Sequence, residues 1–472
     1  MNRHLIPLLP LIAMLTACAS PGSLAPQGKA IDPASLAATQ SLSAPSGAWP
    51  TDTWWSRYGD PQLDRLVSAA LHDSPTLALA RARLDRAKAQ AGMIAANNGL
   101  QVSANAEGTQ QRLSENYIYP PGVAGSYTSL NRVALDFSLE LDFWGRNRAA
   151  LDAAVGQARA AEAEAAGTRL LLASAVTRAY LQFDRLHQLH AVADATLVQR
   201  EKLQELVRLR QKAGLETKAE VQQAIGSIAA ARAERSALDA QLALVRNQLA
   251  ALTGQGPDAT LALTPPALRD VATTLPNTLP ADLLGRRPDV IAQRWRVEAS
   301  GRDSDAARAG FYPNVNLNAF VGLQSLGLGN LLESSSRVLG VGPAIHLPVF
   351  DSGRLRANLA SRHAEQDAAV AQYNTTLLDA LRDVADQLAN WRGADAEERD
   401  QQAAQARYED AWRLTEVRYK TGLSSYIAVL AAETPLLAQR RLTAELRTRR
   451  LEASAGLARA LGGGYTPNTP SN

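Results

Sequence analysis

Three pairs of glycines recur at one spacing: Gly145 with Gly353, Gly214 with Gly422, and Gly254 with Gly462, each pair 208 positions apart. The neighbours agree. Gly145-Arg146 matches Gly353-Arg354, and Arg210-x-Lys212-x-Gly214-Leu215 matches Arg418-x-Lys420-x-Gly422-Leu423. Upstream the match continues at a spacing of 213, aligning Pro75 with Pro288, Val102 with Val315 and Ala106 with Ala319. The change from 213 to 208 places a five-residue difference between Ala106 and Gly145. A duplicated unit that varies in length at one place implies a rigid repeat with one free loop.

Within the first copy, residues 133–143 alternate strictly. Val133, Leu135, Phe137, Leu139, Leu141 and Phe143 are apolar, and Asp136, Ser138, Glu140 and Asp142 fill most of the positions between. A period of two over this length is a strand with one oily and one wet face. Carboxylates exclude lipid from the wet face, so Asp136, Glu140 and Asp142 are expected to line water, and the length suits a tilted transmembrane strand. Its partner is expected near Leu100–Ala106, across a loop rich in Tyr, Pro and Gly. The second copy repeats the pattern in Val315, Leu317, Ala319, Val321 and Leu323. It continues near Val341–Val349, where Pro343 and Pro348 interrupt the hydrogen bonding. Phe143-Trp144, Phe311-Tyr312 and Phe350 fall at strand ends, as an interfacial girdle requires. Four strands cannot close a membrane barrel and open edges are not tolerated in lipid. The chain must therefore oligomerise, and three copies would supply twelve strands.

No proline occurs between Pro121 and Pro257, or between Pro348 and Pro435. An Ala-, Arg- and Leu-rich segment from 146 to 213 reads as a helix of roughly 100 Å, and 354–421 repeats it. Gly214 and Gly422 end these helices as C′ glycines, and return helices follow at 217–253 and 424–461. The prolines of 254–280 mark an irregular linker, after which the second repeat runs from 281 to 462, with its hairpin at 313–350, and a tail covers 463–472. The first repeat occupies 51–253, with its hairpin at 100–143. Pro435 removes a hydrogen bond inside the second return helix and is expected to bend it.

The N-terminus reads as a signal peptide over 1–17, with an apolar run from Leu5 to Leu15 too short to span a bilayer. Leu15-Thr16-Ala17-Cys18 resembles a bacterial lipobox, in which Cys18 carries a diacylglycerol and an N-acyl chain, and 18–50 becomes a lipid-anchored linker. Cys18 is the chain's single cysteine, so no intramolecular disulfide exists. The 49 basic and 46 acidic residues nearly balance, and no basic cluster interleaves with aromatics, which argues against a nucleic-acid partner.

Several stretches together resemble the TolC-like outer membrane factors, in the lipoprotein branch typified by OprM. They are Trp54-Trp55-x-x-Tyr58-Gly59-Asp60-Pro61-x-Leu63, Leu139-x-Leu141-Asp142-x-Trp144-Gly145-Arg146, and Leu279-Pro280-x-Asp282-Leu283-Leu284-x-Arg286-Arg287-Pro288-Asp289. Phe311-Tyr312-Pro313, Pro348-x-Phe350-Asp351-x-Gly353 and Arg418-Tyr419-x-x-Gly422-Leu423 complete the set, which spans about residues 50 to 462. The resemblance implies a mainly α fold with a membrane β part: a homotrimer whose twelve-stranded barrel in the outer membrane continues into a long helical barrel in the periplasm. It implies a passive exit duct of a tripartite efflux pump, working with a periplasmic adaptor and an inner-membrane transporter of RND type. A type I protein secretion duct is the alternative, and a soluble periplasmic coiled-coil scaffold a third reading, though a scaffold leaves the alternating strand unexplained. The Arg286-Arg287-Pro288-Asp289 group reads as structural: proline starts a helix, Asp289 meets its positive end, and the arginines pair with carboxylates.

The Gly214-Leu215 and Gly422-Leu423 turns are expected to form the periplasmic mouth. Exposed leucines there suit adaptor docking, and Arg210, Lys212, Arg418 and Lys420 suit either docking or the helix C-terminal dipole. By alignment on Gly422, the resemblance places the family's gate tyrosine at Tyr419, a gating arginine at Ser424 and acidic rings at Ala428 and Ala431, so those charges are missing here. The nearest acid in the second copy is Glu433, and Glu220 falls where the first copy would hold an acidic gate partner. An enzyme is not indicated. Of six histidines only His187 and His190 share a helical face, with no acid or cysteine cluster beside them to hold a metal.

Overall fold

The computed structural model describes residues 22–38, 40–276 and 285–467. Cys18, the signal peptide and the Leu279–Leu284 stretch lie outside the described residues. In order, the main elements are α1 (Pro61–Asp73), α2 (Pro75–Asn97), β1 (Gln101–Arg112), β2 (Tyr127–Leu141), α3 (Arg146–Lys212), α4 (Lys218–Leu252), α5 (Pro288–Ala309), β3 (Asn314–Leu326), β4 (Arg337–His346), α6 (Arg354–Lys420) and α7 (Tyr426–Ala460). The duplication is visible element by element. Both α3 and α6 have 67 residues and both α4 and α7 have 35. Most of the length difference falls in the hairpin loops 113–126 and 327–336. All six glycines of the repeated pairs take positive φ, from 73° to 88°, which L side chains rarely adopt.

The chain divides into two compact units. The first contains the described part of 1–30 together with 84–161 and 293–373, and holds the whole sheet. That sheet is an antiparallel meander in the order β1-β2-β3-β4. Its register decides everything about its two faces. Val102, Ala104 and Ala106 of β1 stand opposite Phe137, Leu135 and Val133 of β2, which stand opposite Ala319, Val321 and Leu323 of β3. Val321 and Ala319 then face Leu339 and Val341. These apolar rows therefore lie on one face, because a side chain repeats its face every second residue. That face is bare: Leu339, Val341 and Ile345 are 69–79 % exposed. The other face carries Ser103, Asn105, Arg132, Asp136, Asn316 and Asn318.

The fourth strand differs from expectation. It starts at Arg337 and ends at His346, so Leu347–Val349 lie outside it. Pro343 sits within it, paired with Leu317, which is tolerated because β4 is the last strand of the order. In the same unit the N–H groups of Gln27 and Gly28 donate to Asp367 Oδ1, at 2.8 and 2.6 Å, holding the N-terminal linker to α6.

The second unit takes 31–83 and 162–292, with the described part of 374–472. The Trp-Trp-x-x-Tyr motif supplies its core: Trp54, Trp55 and Tyr58 pack with Leu63, Val67, Val176, Tyr180 and Phe183. Asp60 caps α1, accepting from Gln62 N at 2.9 Å, Ala267 N at 2.9 Å and the Tyr180 hydroxyl at 2.7 Å. Burial opposes ionisation of Asp60, but these hydrogen bonds outweigh it and hold its pKa below the usual carboxylate value. Arg287 is buried and donates to Asp289, Asp383 and the Ala460 carbonyl, the structural role expected of it. Among the described residues, no helix is long and apolar enough to cross a membrane.

Two glycines separate backbone strain from steric exclusion. A Cβ at Gly422 (φ 85°) would meet only Arg210, 4.0 Å away, whereas one at Gly462 (φ 88°) would lie 2.0 Å from the Arg286 carbonyl oxygen. Gly422→Ala is expected to cost about 1–2 kcal/mol, and Gly462→Ala distinctly more, in denaturant titrations of the detergent-solubilised protein.

Candidate functional site: the helix tips and the polar sheet face

Each long helix ends in the same way. Gly214 and Gly422 reverse the chain, with Leu215 N bonding Arg210 O at 2.9 Å and Leu423 N bonding Arg418 O at 2.7 Å. Leu215 and Leu423 are 65 % and 71 % exposed. Beneath these turns lies a small core made by both copies: Leu203, Val207 and Ala224 of the first, with Tyr419, Tyr426 and Val429 of the second.

Each copy's tip holds one exposed basic residue and one engaged one. Lys212 and Arg418 are exposed, and Lys420 pairs with Glu416 at 3.0 Å. Arg210 departs from the expected docking role. Its side chain is 17 % exposed, its guanidinium lies 4.9 Å over the Tyr419 ring, and Nε lies 3.4 Å from a Glu216 carboxylate oxygen. Arg210 Nη1 also donates to the Tyr419 carbonyl at 3.3 Å. Tyr419 is fully buried and packs against Tyr426, with ring centroids 6.0 Å apart. Burial and then the Glu216 carboxylate push the Tyr419 hydroxyl pKa above its usual value. The pair binds one repeat's tip to the other.

Glu220 is likewise committed elsewhere. It is the third residue of α4 and closes a capping box with Thr217, accepting from Thr217 N at 2.9 Å and from the Thr217 hydroxyl. These bonds, the hydroxyl's first, hold its carboxyl below the ordinary range. A carboxylate at this position is explained by helix capping alone. Ser424 and Ala428 are half-buried, Ala431 is exposed, and Ser425 caps α7, which starts two residues later than expected.

Further along α7, Glu433 is buried. Arg200 of α3 donates Nε and Nη2 to its Oε2 at 3.0 and 2.9 Å, and Gln199 Nε2 donates to Oε1 at 2.7 Å. Arg200 Nη1 reaches the Ser227 carbonyl of α4 at 2.9 Å, so one guanidinium ties three helices. Beside it, a groove of about 570 Å³ runs between α3 and α6, lined by Val198, Lys202, Leu203, Leu206, Glu416 and Lys420, with Asp194 at one end. Residues 199, 200 and 216 carry no local signal, since their partners are set by how the helices pack. His190 meets two carboxylates on its two ring nitrogens, Asp194 at Nδ1 (3.2 Å) and Asp239 at Nε2 (2.9 Å), with Arg235 on Asp194, and among the described residues no such group could hold a metal ion.

On the sheet, Asp136 and Glu140 lie on the polar face. Asp136 accepts from Arg132 Nη2 at 2.6 Å and Asn105 Nδ2 at 2.7 Å, and Glu140 from Asn314 Nδ2 at 2.7 Å. Asp142 lies past the end of β2 and accepts from Arg148 N at 2.8 Å, so it caps α3 and does not belong to the strand face. Of the girdle aromatics, Phe143, Trp144, Tyr312 and Phe350 are exposed, while Phe311 is buried against Ala307, Leu355 and Leu359.

The family model for outer membrane efflux proteins matches residues 66–255 and 279–463, one match for each copy. The chain belongs to the outer membrane efflux protein family. It is 36% identical over 440 residues to the multidrug resistance outer membrane protein MdtP of Escherichia coli K12, covering 89% of this chain and 88% of that one. To MdtQ of Escherichia coli O157:H7 it is 34% identical, with 97% of each chain covered. The crystal structure of the outer membrane protein VceC of Vibrio cholerae superposes with a TM-score of 0.83 at 37% identity, covering 88% of this chain and 100% of that one. This outer-membrane efflux protein thus has the TolC-like fold, and it works as the exit duct of an efflux pump.

The buried Arg200–Glu433 pair gives a direct prediction. Glu433→Ala leaves a guanidinium buried without its counter-charge and is expected to cost about 3–5 kcal/mol. Arg200→Met combined with Glu433→Leu is expected to recover most of that loss in the same denaturation assay.

Proposed function

We propose that three chains close their strands into one twelve-stranded barrel in the outer membrane, whose polar faces line the conduit, and that the helices of each chain extend it into the periplasm. The observation that carries this is the sheet register: among the described residues one face of all four strands is apolar and bare, and β1 and β4 each leave an outer edge unpaired. Lipid satisfies the first condition and only barrel closure satisfies the second. Asp136, Glu140 and Arg132 then face the water inside.

The tips are read as the docking end for a periplasmic adaptor that links the duct to an inner-membrane transporter of RND type. Leu215 and Leu423 would seat in the adaptor, and the α3–α6 groove offers an apolar floor between charged walls for an amphipathic helix. The cargo is read as multidrug-like small molecules, by likeness to MdtP and MdtQ. Cys18 is read as the lipidated N-terminus, which with the barrel makes two anchors.

Light scattering of the detergent-extracted protein is expected to give a trimer, and a monomer would end the closed-barrel reading. Leu215→Asp with Leu423→Asp is expected to leave trimer and membrane insertion intact while abolishing drug tolerance in a complemented deletion strain. Retained tolerance would remove the leucines from docking. Labelled palmitate is expected to enter the wild type and not Cys18→Ala.

A further inference from the structure

The two hairpins of the sheet repeat each other residue for residue. In the first, Val102 pairs with Phe137 and Ala106 with Val133. Advancing the first strand by 213 positions and the second by 208, the spacings of the duplication, gives Val315 with Ile345 and Ala319 with Val341. Both pairs are present in the second hairpin. The duplication therefore keeps strand register as well as residue type. A third junction, β2 with β3, joins the first repeat to the second: Phe137 pairs with Ala319, Leu135 with Val321, Asp136 with Phe320 and Ser138 with Asn318.

A closed barrel has one further kind of junction, β4 of one chain with β1 of the next. It joins a second repeat to a first, so it is the duplicate of the β2–β3 junction. The same two spacings then name its pairs. Phe137 with Ala319 becomes Ile345 with Ala106, and Leu135 with Val321 becomes Pro343 with Gly108. Asp136 with Phe320 becomes Ala344 with Glu107, and Ser138 with Asn318 becomes His346 with Asn105.

We propose that β4 pairs antiparallel with β1 of a second copy of this chain in this one register, with Ile345, Pro343, Ala344 and His346 opposite Ala106, Gly108, Glu107 and Asn105 of that copy. The assignment rests on the closed-barrel reading and adds to it the residues that meet. Side-chain chemistry agrees independently. Ile345 and Ala106 both belong to the apolar face, and a slip of one residue would set Ile345 against Asn105 or Glu107 and invert the faces. Pro343 is the only proline in the four strands, and Gly108 is the only glycine in β1. Proline is confined to strands at an edge, and a strand glycine marks a place where another backbone comes close. A slip of two residues would set the proline ring against Ala106 or Gln110 instead. Both edges are free to meet a partner: β1 is exposed along nearly its whole length, and Val341 and Ile345 are bare.

The test is disulfide formation in outer membranes that contain the full-length protein with paired cysteines. Ala344→Cys with Glu107→Cys lies on the polar face and Ile345→Cys with Ala106→Cys on the apolar face, so the two pairs cover both kinds of antiparallel position, hydrogen-bonded and not. Within one chain β1 and β4 are opposite edges of the sheet, so any bond formed links two copies. Mild oxidation is expected to give linked dimer and trimer on non-reducing gels. The yield is expected to be about tenfold above that of Ala344→Cys with Asn105→Cys or with Thr109→Cys, whose residues would be diagonal neighbours about 7–8 Å apart. Single-cysteine variants report any contribution of Cys18, the one native cysteine. Stronger linking of either shifted pair would overturn the register. No linking of either register pair, in protein that light scattering shows to be a trimer, would overturn the β4–β1 junction and leave the trimer standing. A monomer would end the closed-barrel reading and the junction with it. Heat-modifiable migration under reductant checks that each variant is folded, and if one pair fails that check the other decides.

Discussion

A main-chain N–H or C=O in hydrocarbon has no water to turn to, so a membrane sheet must pair every strand it contains. Among the described residues four strands form an open meander, with β1 and β4 unpaired on their outer sides and an apolar face left uncovered. Neither feature is stable in water, and the open edges are not stable in lipid. The remaining architecture answers that constraint. The sheet must be completed by further copies, each copy must present the same register, and the helices that follow the strands must begin at fixed places. The repeated Gly-Arg turns do this, since both long helices start immediately after them and have the same length.

Duplication builds the frame, and the differences between the copies bind it together. Arg210 of the first copy leaves the surface to lie over Tyr419 of the second, while its counterpart Arg418 stays exposed. Glu433 accepts three donors from Arg200 and Gln199, although α7 has no other acid before it. Its position beside Pro435 concentrates a buried charge pair and a missing backbone hydrogen bond within one turn. Such pairs are weak contributors to net stability but are specific about which helix meets which. Two similar repeats can pack in more than one register, and a buried, one-to-one ion pair selects among them.

Much of the fold was legible because it is periodic. The glycine spacing and the proline-free stretches are local patterns that fixed the tip turns and the long and return helices within one or two residues, whereas β1 runs on to Arg112 and β2 begins at Tyr127, both beyond the alternation that marked them. The misreadings share a cause. Asp142 continues the alternation and so looked like a strand residue, yet its carboxylate caps α3. Phe311 has the composition of a girdle residue, yet it packs on Leu355 and Leu359. Glu220, which aligned with a gate position, also closes a capping box with Thr217 three residues earlier, a signal present in the sequence and available to be read. Glu216, Arg200 and Gln199 offered no such signal, because their partners lie on other helices.

The sequence by itself determined the repeat, the long-helix boundaries, the amphipathic strand and the need for other copies, since each follows from spacing along one chain and from the fixed periods of strand and helix. Only the tertiary structure decided which charges are free and which are spent. It turned Arg210 inward, sent Glu220 and Asp142 to helix ends, and buried Glu433. The physical reason is that a charged side chain's role is set by what lies within a few ångströms of it. For Arg210 and Glu433, that neighbour is supplied by the other copy.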